Sequence, residues 1–305
     1  LNLLASMKSR LLPALCCVLL APMSHADDGS LSDSGAAAGD LSTMSIDEIS
    51  RRLDNPLTSL WSLVFQENYS RLKGDAIEGD RYANVAFFQP ALPVPVGENY
   101  DKIFIARPVF PVVKQPVVDP TQPDGTDGHV SGFGDMQLFT LVGPNRLDGV
   151  VWGAGATFKF PTASRDELGQ EKWQAGPAAM LFRFGKLWTT GVLAQHWESF
   201  AGDDDRADTS QTDIQYVIRR NLGNGWSLGM GPTVSIDWEA DSGDKVTFPI
   251  GLGITKTLRI GSTPWKIRLE PQYSIVKPDT LGADWNIRLQ LAPVIQSPFS
   301  RGIGG

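Results

Sequence analysis

Trp226-Ser227-Leu228-Gly229-Met230-Gly231-Pro232-Thr233-Val234-Ser235-Ile236-Asp237-Trp238 alternates apolar and small or polar residues at every step. Side chains along a strand point to opposite faces with period two, so one face of this stretch is apolar and the other polar. These thirteen residues exceed the ordinary strand of about 5–6 and suit a tilted strand crossing a bilayer, which needs roughly 9–11. Tryptophan at both ends matches the two interfacial girdles of a membrane barrel.

The pattern recurs toward the C-terminus. Trp265, Ile267, Leu269, Pro271, Tyr273 and Ile275 oppose Lys266, Arg268, Glu270, Gln272 and Ser274. Trp285, Ile287, Leu289 and Leu291 oppose Asn286, Arg288 and Gln290, and strand 246–259 sorts in the same way. Toward the N-terminus the sorting loosens. Around 82–95, 101–113 and 172–184 both parities hold apolar residues, as in Phe87-Phe88, which implies a hydrophobic sector of the inner wall.

Twelve strands are expected: 59–70, 82–95, 101–113, 132–143, 150–162, 172–184, 187–199, 210–221, 225–239, 246–259, 263–276 and 284–295. Connections after odd-numbered strands are mostly long, whereas those after even-numbered ones are brief, as in Gly185-Lys186. Short turns on one side and long loops on the other mark an antiparallel outer-membrane barrel, and an even count returns both termini to the same side. The expected fold is therefore an all-β, transmembrane, up-and-down barrel. Prolines at 90, 93, 108, 111, 161, 177, 232, 249, 271 and 293 fall within these strands. Proline cannot donate to a ladder and a closed barrel has no edge, so bulges and bends are expected there.

Residues 1–26 read as an export signal: Lys8 and Arg10 precede an apolar run from Leu11 to Ala21, and Ser24-His25-Ala26 offers small residues for cleavage. Both cysteines, Cys16 and Cys17, lie in this segment, so residues 27–305 carry no disulfide, Cys-bound zinc or thiol nucleophile. The formal net charge of −7, with no basic cluster, argues against nucleic acid as a partner. Residues 27–56 read as a flexible leader. Ser45-Ile46-Asp47-Glu48 starts a short helix with Ile46, Ile49 and Leu53 on one face, ending before Pro56. A solvated leader helix is the plainer expectation, and a plug in the barrel mouth the other. The barrel is expected over 57–299, with 300–305 a tail.

Arg107, Asp135, Lys159, Gln174, Arg219, Asp237, Glu239, Lys266, Arg268, Glu270 and Arg288 share the polar parity. A lipid-facing Arg or Lys costs about 2–4 kcal/mol at the midplane, so they are expected to point into the lumen. Of these, Arg107, Lys159, Arg219, Asp237, Glu239, Lys266, Arg268, Glu270 and Arg288 are the candidate lumen-lining set. Lys266, Arg268, Glu270 and Arg288 lie on neighbouring strands and should form a local network. They either fill the interior or bias a wet path for solutes. Gly229-x-Gly231 and Gly251-x-Gly253 have no following helix to bind phosphate, and read as small inward residues that keep the lumen open. The acidic long loops, such as Asp203-Asp204-Asp205, read as solvated rims without the spacing of a calcium loop. His196 and Ser199 are near in sequence, but nucleophilic hydrolysis needs a base, a nucleophile and an oxyanion site together. No catalytic, metal or cofactor residues are assigned, and no cofactor is expected.

Lys172-Trp173-Gln174-Ala175-Gly176-Pro177, Phe200-Ala201-Gly202-Asp203-Asp204-Asp205-Arg206 and Asp237-Trp238-Glu239-Ala240-Asp241-Ser242-Gly243 carry a resemblance, joined by Trp152-Gly153-Ala154-Gly155 and Pro278-Asp279. Over roughly residues 55–299 the chain resembles bacterial outer-membrane barrels related to the MetA-pathway-of-phenol-degradation proteins, which often carry the label "neuromedin U". The resemblance implies uptake of aromatic or other hydrophobic compounds and supplies no catalytic residues. One departure is that Ser300–Gly305 follow Phe299, where such barrels end on an aromatic residue read by the assembly machinery.

The expected function is a passive outer-membrane channel or transporter for small, hydrophobic or aromatic solutes, and not an enzyme. Its expected partners are outer-membrane lipid and lipopolysaccharide, the barrel-assembly machinery and the solute. The alternatives are a non-conducting barrel, lipase-like or structural, and a secreted soluble sandwich.

Overall fold

The computed structural model describes residues 41–58, 60–117, 128–146, 148–295 and 297. The expected signal segment, the leader before residue 41, Asp124 and Asp127, and the tail lie outside these residues.

Burial is inside-out relative to a soluble protein. Along 226–228, Ser227 is 1% exposed while Leu228 is 39% exposed. Along 266–272, Lys266, Arg268, Glu270 and Gln272 are buried while Leu269 is 46% exposed. Charged residues are almost never buried unless paired, and large apolar ones rarely cover a surface facing water. A sheet with its charged face enclosed and its apolar face outward is built for a hydrocarbon surround.

That sheet closes on itself. Its strands are β1 (Trp61–Lys73), β2 (Arg81–Val96), β3 (Lys102–Pro116), β4 (His129–Phe133), β5 (Met136–Pro144), β6 (Gly149–Phe160), β7 (Lys172–Phe184), β8 (Trp188–Gly202), β9 (Ser210–Gly223), β10 (Trp226–Met230), β11 (Thr233–Asp237), β12 (Val246–Gly251), β13 (Gly253–Ile260), β14 (Thr263–Val276) and β15 (Gly282–Ile295). Three pairs, β4/β5, β10/β11 and β12/β13, are single passes with an interruption, which gives the expected twelve passes, each antiparallel to its neighbours. β15 pairs with β1 from Trp61↔Ile295 to Lys73↔Gly282 and completes the cylinder. Among the described residues no helix is long and apolar enough to cross a membrane.

The prolines act as expected. Gly231-Pro232 separates β10 from β11, and the register shifts at Phe248/Pro249 between β12 and β14. β2 and β3 pair through Phe88↔Phe110 and again from Leu92↔Ala106, and the intervening positions, with Pro90 and Pro108, are not matched in the ladder. Pro161 lies just beyond β6.

Outward aromatics gather at the two ends. Near the long loops Tyr69 stacks on Tyr82 and Tyr273 lies against Trp285, with ring centroids 5.5 and 5.1 Å apart. At the short-turn end, Arg220 covers Trp188 and Lys256 covers Trp226. Rings with cations beside them at headgroup depth suit an interface between hydrocarbon and water.

The inner wall has two sectors. Ile103, Ile105, Phe139, Leu141, Val151, Met180, Phe182 and Val217 form one buried apolar cluster with Leu57. This is the hydrophobic sector expected on 82–95, 101–113 and 172–184, but β2 adds only Ala91 at its margin, and the sector extends across β5, β6 and β9 instead. The opposite sector, on β9, β14 and β15, is charged.

One helix, α1 (Ile46–Asp54), precedes the barrel. Ser45 caps it, its Oγ accepting from the Glu48 N–H at 3.1 Å, and Glu48 reaches forward to Arg52 at 2.8 Å. Ile49 is fully buried in a cluster with Leu41, Met44, Leu60 and Val294. The solvated-helix expectation fails, because the apolar face of α1 is covered by the barrel.

Candidate functional site: the barrel lumen

The helix is fastened at the short-turn mouth. Asp47 accepts from the Gly225 N–H at 2.6 Å, Arg259 donates to the carbonyls of Leu41 and Met44 at 2.6 and 2.9 Å, and Asn55 donates to the Arg146 carbonyl at 2.9 Å. These partners lie in or beside the turns 145–148, 224–225 and 261–262. At the inner end of α1, Asp54 is buried and takes both Arg219 and Lys266 as partners. Burial pushes the Asp54 carboxyl up, but Arg219 and Lys266 outweigh it and hold it below the ordinary carboxylate value.

Beyond Asp54 the network continues through the pass interrupted at Gly231-Pro232. Breaking a ladder strands backbone groups that must find partners elsewhere. Glu270 accepts from the Gly231 N–H at 2.8 Å, and Arg288 and Gln215 donate to its carbonyl at 2.9 and 3.0 Å. Arg268 pairs with Glu270 at 2.9 Å and donates to Thr255 Oγ1 and the Gly229 carbonyl at 2.8 and 3.0 Å. The charged residues thus satisfy the backbone that the proline break frees.

Lys266, Arg268, Glu270 and Arg288 form the local network expected from their spacing, and the structure adds Asp54 and Arg219 to it. Asp54 had no signal of its own, since a helix residue's partners depend on how the helix docks. The glycine expectation is revised. A Cβ on Gly253 would stand 2.7 Å from Glu270 Cβ, and one on Gly251 3.0 Å from Gln272 Cγ. These glycines admit the long polar side chains of β14 rather than leaving the lumen open.

The other candidates sit apart. Lys159 is buried, donates to Gln211 at 2.7 Å and lies 4.1 Å from the Trp197 ring centroid. Arg107 bonds Gln89 near the apolar sector. Asp237 and Glu239 are exposed at the long-loop rim, where β11 ends; with Asp205, Arg206 and Asp208 they line a shallow hollow rather than the inner wall. Asp135 accepts from the amides of Thr162, Ala163 and Gln170 and so shapes the loop 161–171. His196 meets Thr212 and Glu198, while Ser199 meets Asp208, so the His–Ser pair a hydrolase reading needs is not assembled.

Between the sectors lies a cavity of about 170 Å³. Its walls include Ile105, Phe139, Phe182 and Val217 on one side and Arg219, Lys266, Arg268, Glu270 and Arg288 on the other, with Arg107 and Asp54 also lining it.

Fold and lumen together define a closed, twelve-pass antiparallel barrel of the membrane type, with a polar interior and a helix in one mouth. Among solved structures the chain is similar to a COG4313 outer membrane channel from Pseudomonas putida F1, at 14% identity and a TM-score of 0.59 over 78% of this chain and 96% of that one. It is also similar to the translocator domain of the autotransporter NalP from Neisseria meningitidis (12% identity, TM-score 0.40, 78% and 88% covered) and to a Pseudomonas aeruginosa FadL homologue (10%, 0.37, 85% and 95%). The first shares the fold. No family model matches the sequence, and no curated protein matches it.

Proposed function

We propose that this chain is an outer-membrane channel for the passive passage of small solutes with hydrophobic or aromatic bodies, its short-turn mouth stoppered by α1. The observation that carries the reading is the inversion of burial: an apolar belt outside and an enclosed wall that is half apolar, half charged. Such a belt suits lipid, and a two-sector lumen suits solutes that are not purely polar. The COG4313 channel with which it shares its fold is an outer-membrane channel by its description, which supports the location and the role. The motifs resembling the MetA-pathway-of-phenol-degradation barrels support the aromatic end of the solute range.

Planar-bilayer recording tests this. Full-length protein should give small discrete currents, and Asp54→Asn should raise them, because removing one carboxylate unfastens α1 from both Arg219 and Lys266. Arg268→Ala should shift ion preference toward cations. Silence in both the parent protein and Asp54→Asn, with the barrel folded, ends the channel reading. It would favour instead a non-conducting structural barrel, the reading suited to a mouth filled by a helix.

A further inference from the structure

Charge around the lumen cavity does not balance. Arg107, Arg219, Lys266, Arg268 and Arg288 meet only two carboxylates, Asp54 and Glu270. Those two are spoken for: Asp54 holds Arg219 and Lys266, and Glu270 holds Arg268. Arg107 and Arg288 have no carboxylate within ion-pair distance among the described residues. Arg107 bonds the neutral Gln89, and its Nε is enclosed without a partner. Among the described residues Arg288 bonds the neutral Asn68 side chain and the Gly231 carbonyl, at 3.3 and 2.9 Å, and it shares its cross-strand partner Glu270 with Arg268, which takes the ion pair.

An enclosed cation without a counter-charge, as at Arg107, or sharing one, as at Arg288, is costly, and guanidinium favours a carboxylate over any neutral acceptor. Across the same cavity stand Ile105, Phe139, Phe182 and Val217, which offer nothing to a small inorganic anion and much to an apolar body.

We infer that the cavity is a binding site for an amphipathic organic carboxylate, its headgroup on Arg107 or Arg288 and its apolar body against the β3–β5–β7–β9 wall. This rests on the channel reading and narrows its solute class. The Asp54 carboxylate, already seated between Arg219 and Lys266, shows within the molecule how such a headgroup is held.

The test uses full-length protein in lipid nanodiscs, titrated calorimetrically with octanoate, octanol and acetate against empty discs. Octanoate should bind saturably above the blank. Octanol and acetate should each bind at least about tenfold more weakly, the order of effect of one charge-assisted hydrogen bond or of a lost apolar tail. Arg107→Gln or Arg288→Gln, whichever removes the headgroup's partner, should weaken octanoate by about tenfold, and the double Arg107→Gln/Arg288→Gln protein at least as much. Octanol binding as tightly as octanoate, or octanoate binding unchanged in the double Arg107→Gln/Arg288→Gln protein, overturns the inference. The comparison of octanoate with octanol uses unmodified protein and holds even if a variant fails to fold. Currents without octanoate binding would sink the carboxylate site and spare the channel; octanoate binding without currents would do the reverse.

Discussion

Glu270 is engaged from three directions. It pairs with Arg268, accepts the Gly231 N–H beside the proline break, and packs where Gly251 and Gly253 leave room. Removing one partner of a buried ion pair costs about 3–5 kcal/mol, since the other charge is left enclosed and alone. Glu270→Ala should therefore destabilise the barrel by about that much, read as a lower temperature for loss of compact migration on unheated gels; Glu270→Gln, which keeps an acceptor for Gly231, should cost less. An unchanged midpoint in Glu270→Ala would show the network to be ornamental. At this scale period two alone placed Lys266, Arg268, Glu270 and Arg288 on one wall. It missed Asp54, whose partners lie 165 and 212 residues away and follow from helix docking. It also set Asp237 and Glu239 along the enclosed wall by parity, although Asp237 is the last residue of β11 and both lie exposed at the rim.

At the scale of elements, the expected strands lie within a few residues of the observed ones because each pass combines alternation with turn residues at its ends. What alternation could not show was where a pass is interrupted without leaving the sheet, as at Gly134-Asp135 and Leu252. The long loops are also more ordered than their acidic composition suggests. Asp244 accepts from both the hydroxyl and the N–H of Thr280, at 2.6 and 2.8 Å, and so links loops 238–245 and 277–281. Those two bonds from Thr280 hold the Asp244 carboxyl below its ordinary value. A depressed carboxylate contributes stability that is complete above its unfolded value, near 3.9, and lost as pH falls through the lower folded one. Protection of the Thr280 amide, its exchange rate relative to an unstructured amide at the same pH, should therefore hold down to about pH 4 and fall below it. In Asp244→Asn that acid-dependent step should vanish; a step that persists would assign the linkage to another group.

For the molecule as a whole, the pairing of β1 with β15 closes the sheet, so every pass has neighbours on both sides, and among the described residues only the short β4, paired with β3 alone, keeps a free edge. The apolar belt then decides the solvent. Leu289 faces out and is 39% exposed, while the neighbouring Gln290 lines the lumen. Leu289→Lys should cost about 2–4 kcal/mol of folding free energy in bilayers if the site lies near the midplane, and Gln290→Lys much less. Equal costs at the two positions would contradict the assignment of faces. Fold class, strand number and the outward face were all legible because hydrocarbon imposes one strict rule on alternate residues. The helix in the mouth was not, since a nine-residue amphipathic segment reads alike whether it is bathed in water or seated in a ring.

The seat of that helix has a consequence for the order of assembly. Its first segment in the chain meets side chains from β9 and β14, and Ile49 clusters with Val294 on the last strand. None of those sites exists until the final strands have joined the first. The helix must wait outside while the cylinder closes, so an element that precedes every strand in the chain is the last to find its place, and a barrel caught just before that step would be sealed along its side yet unlatched at its end.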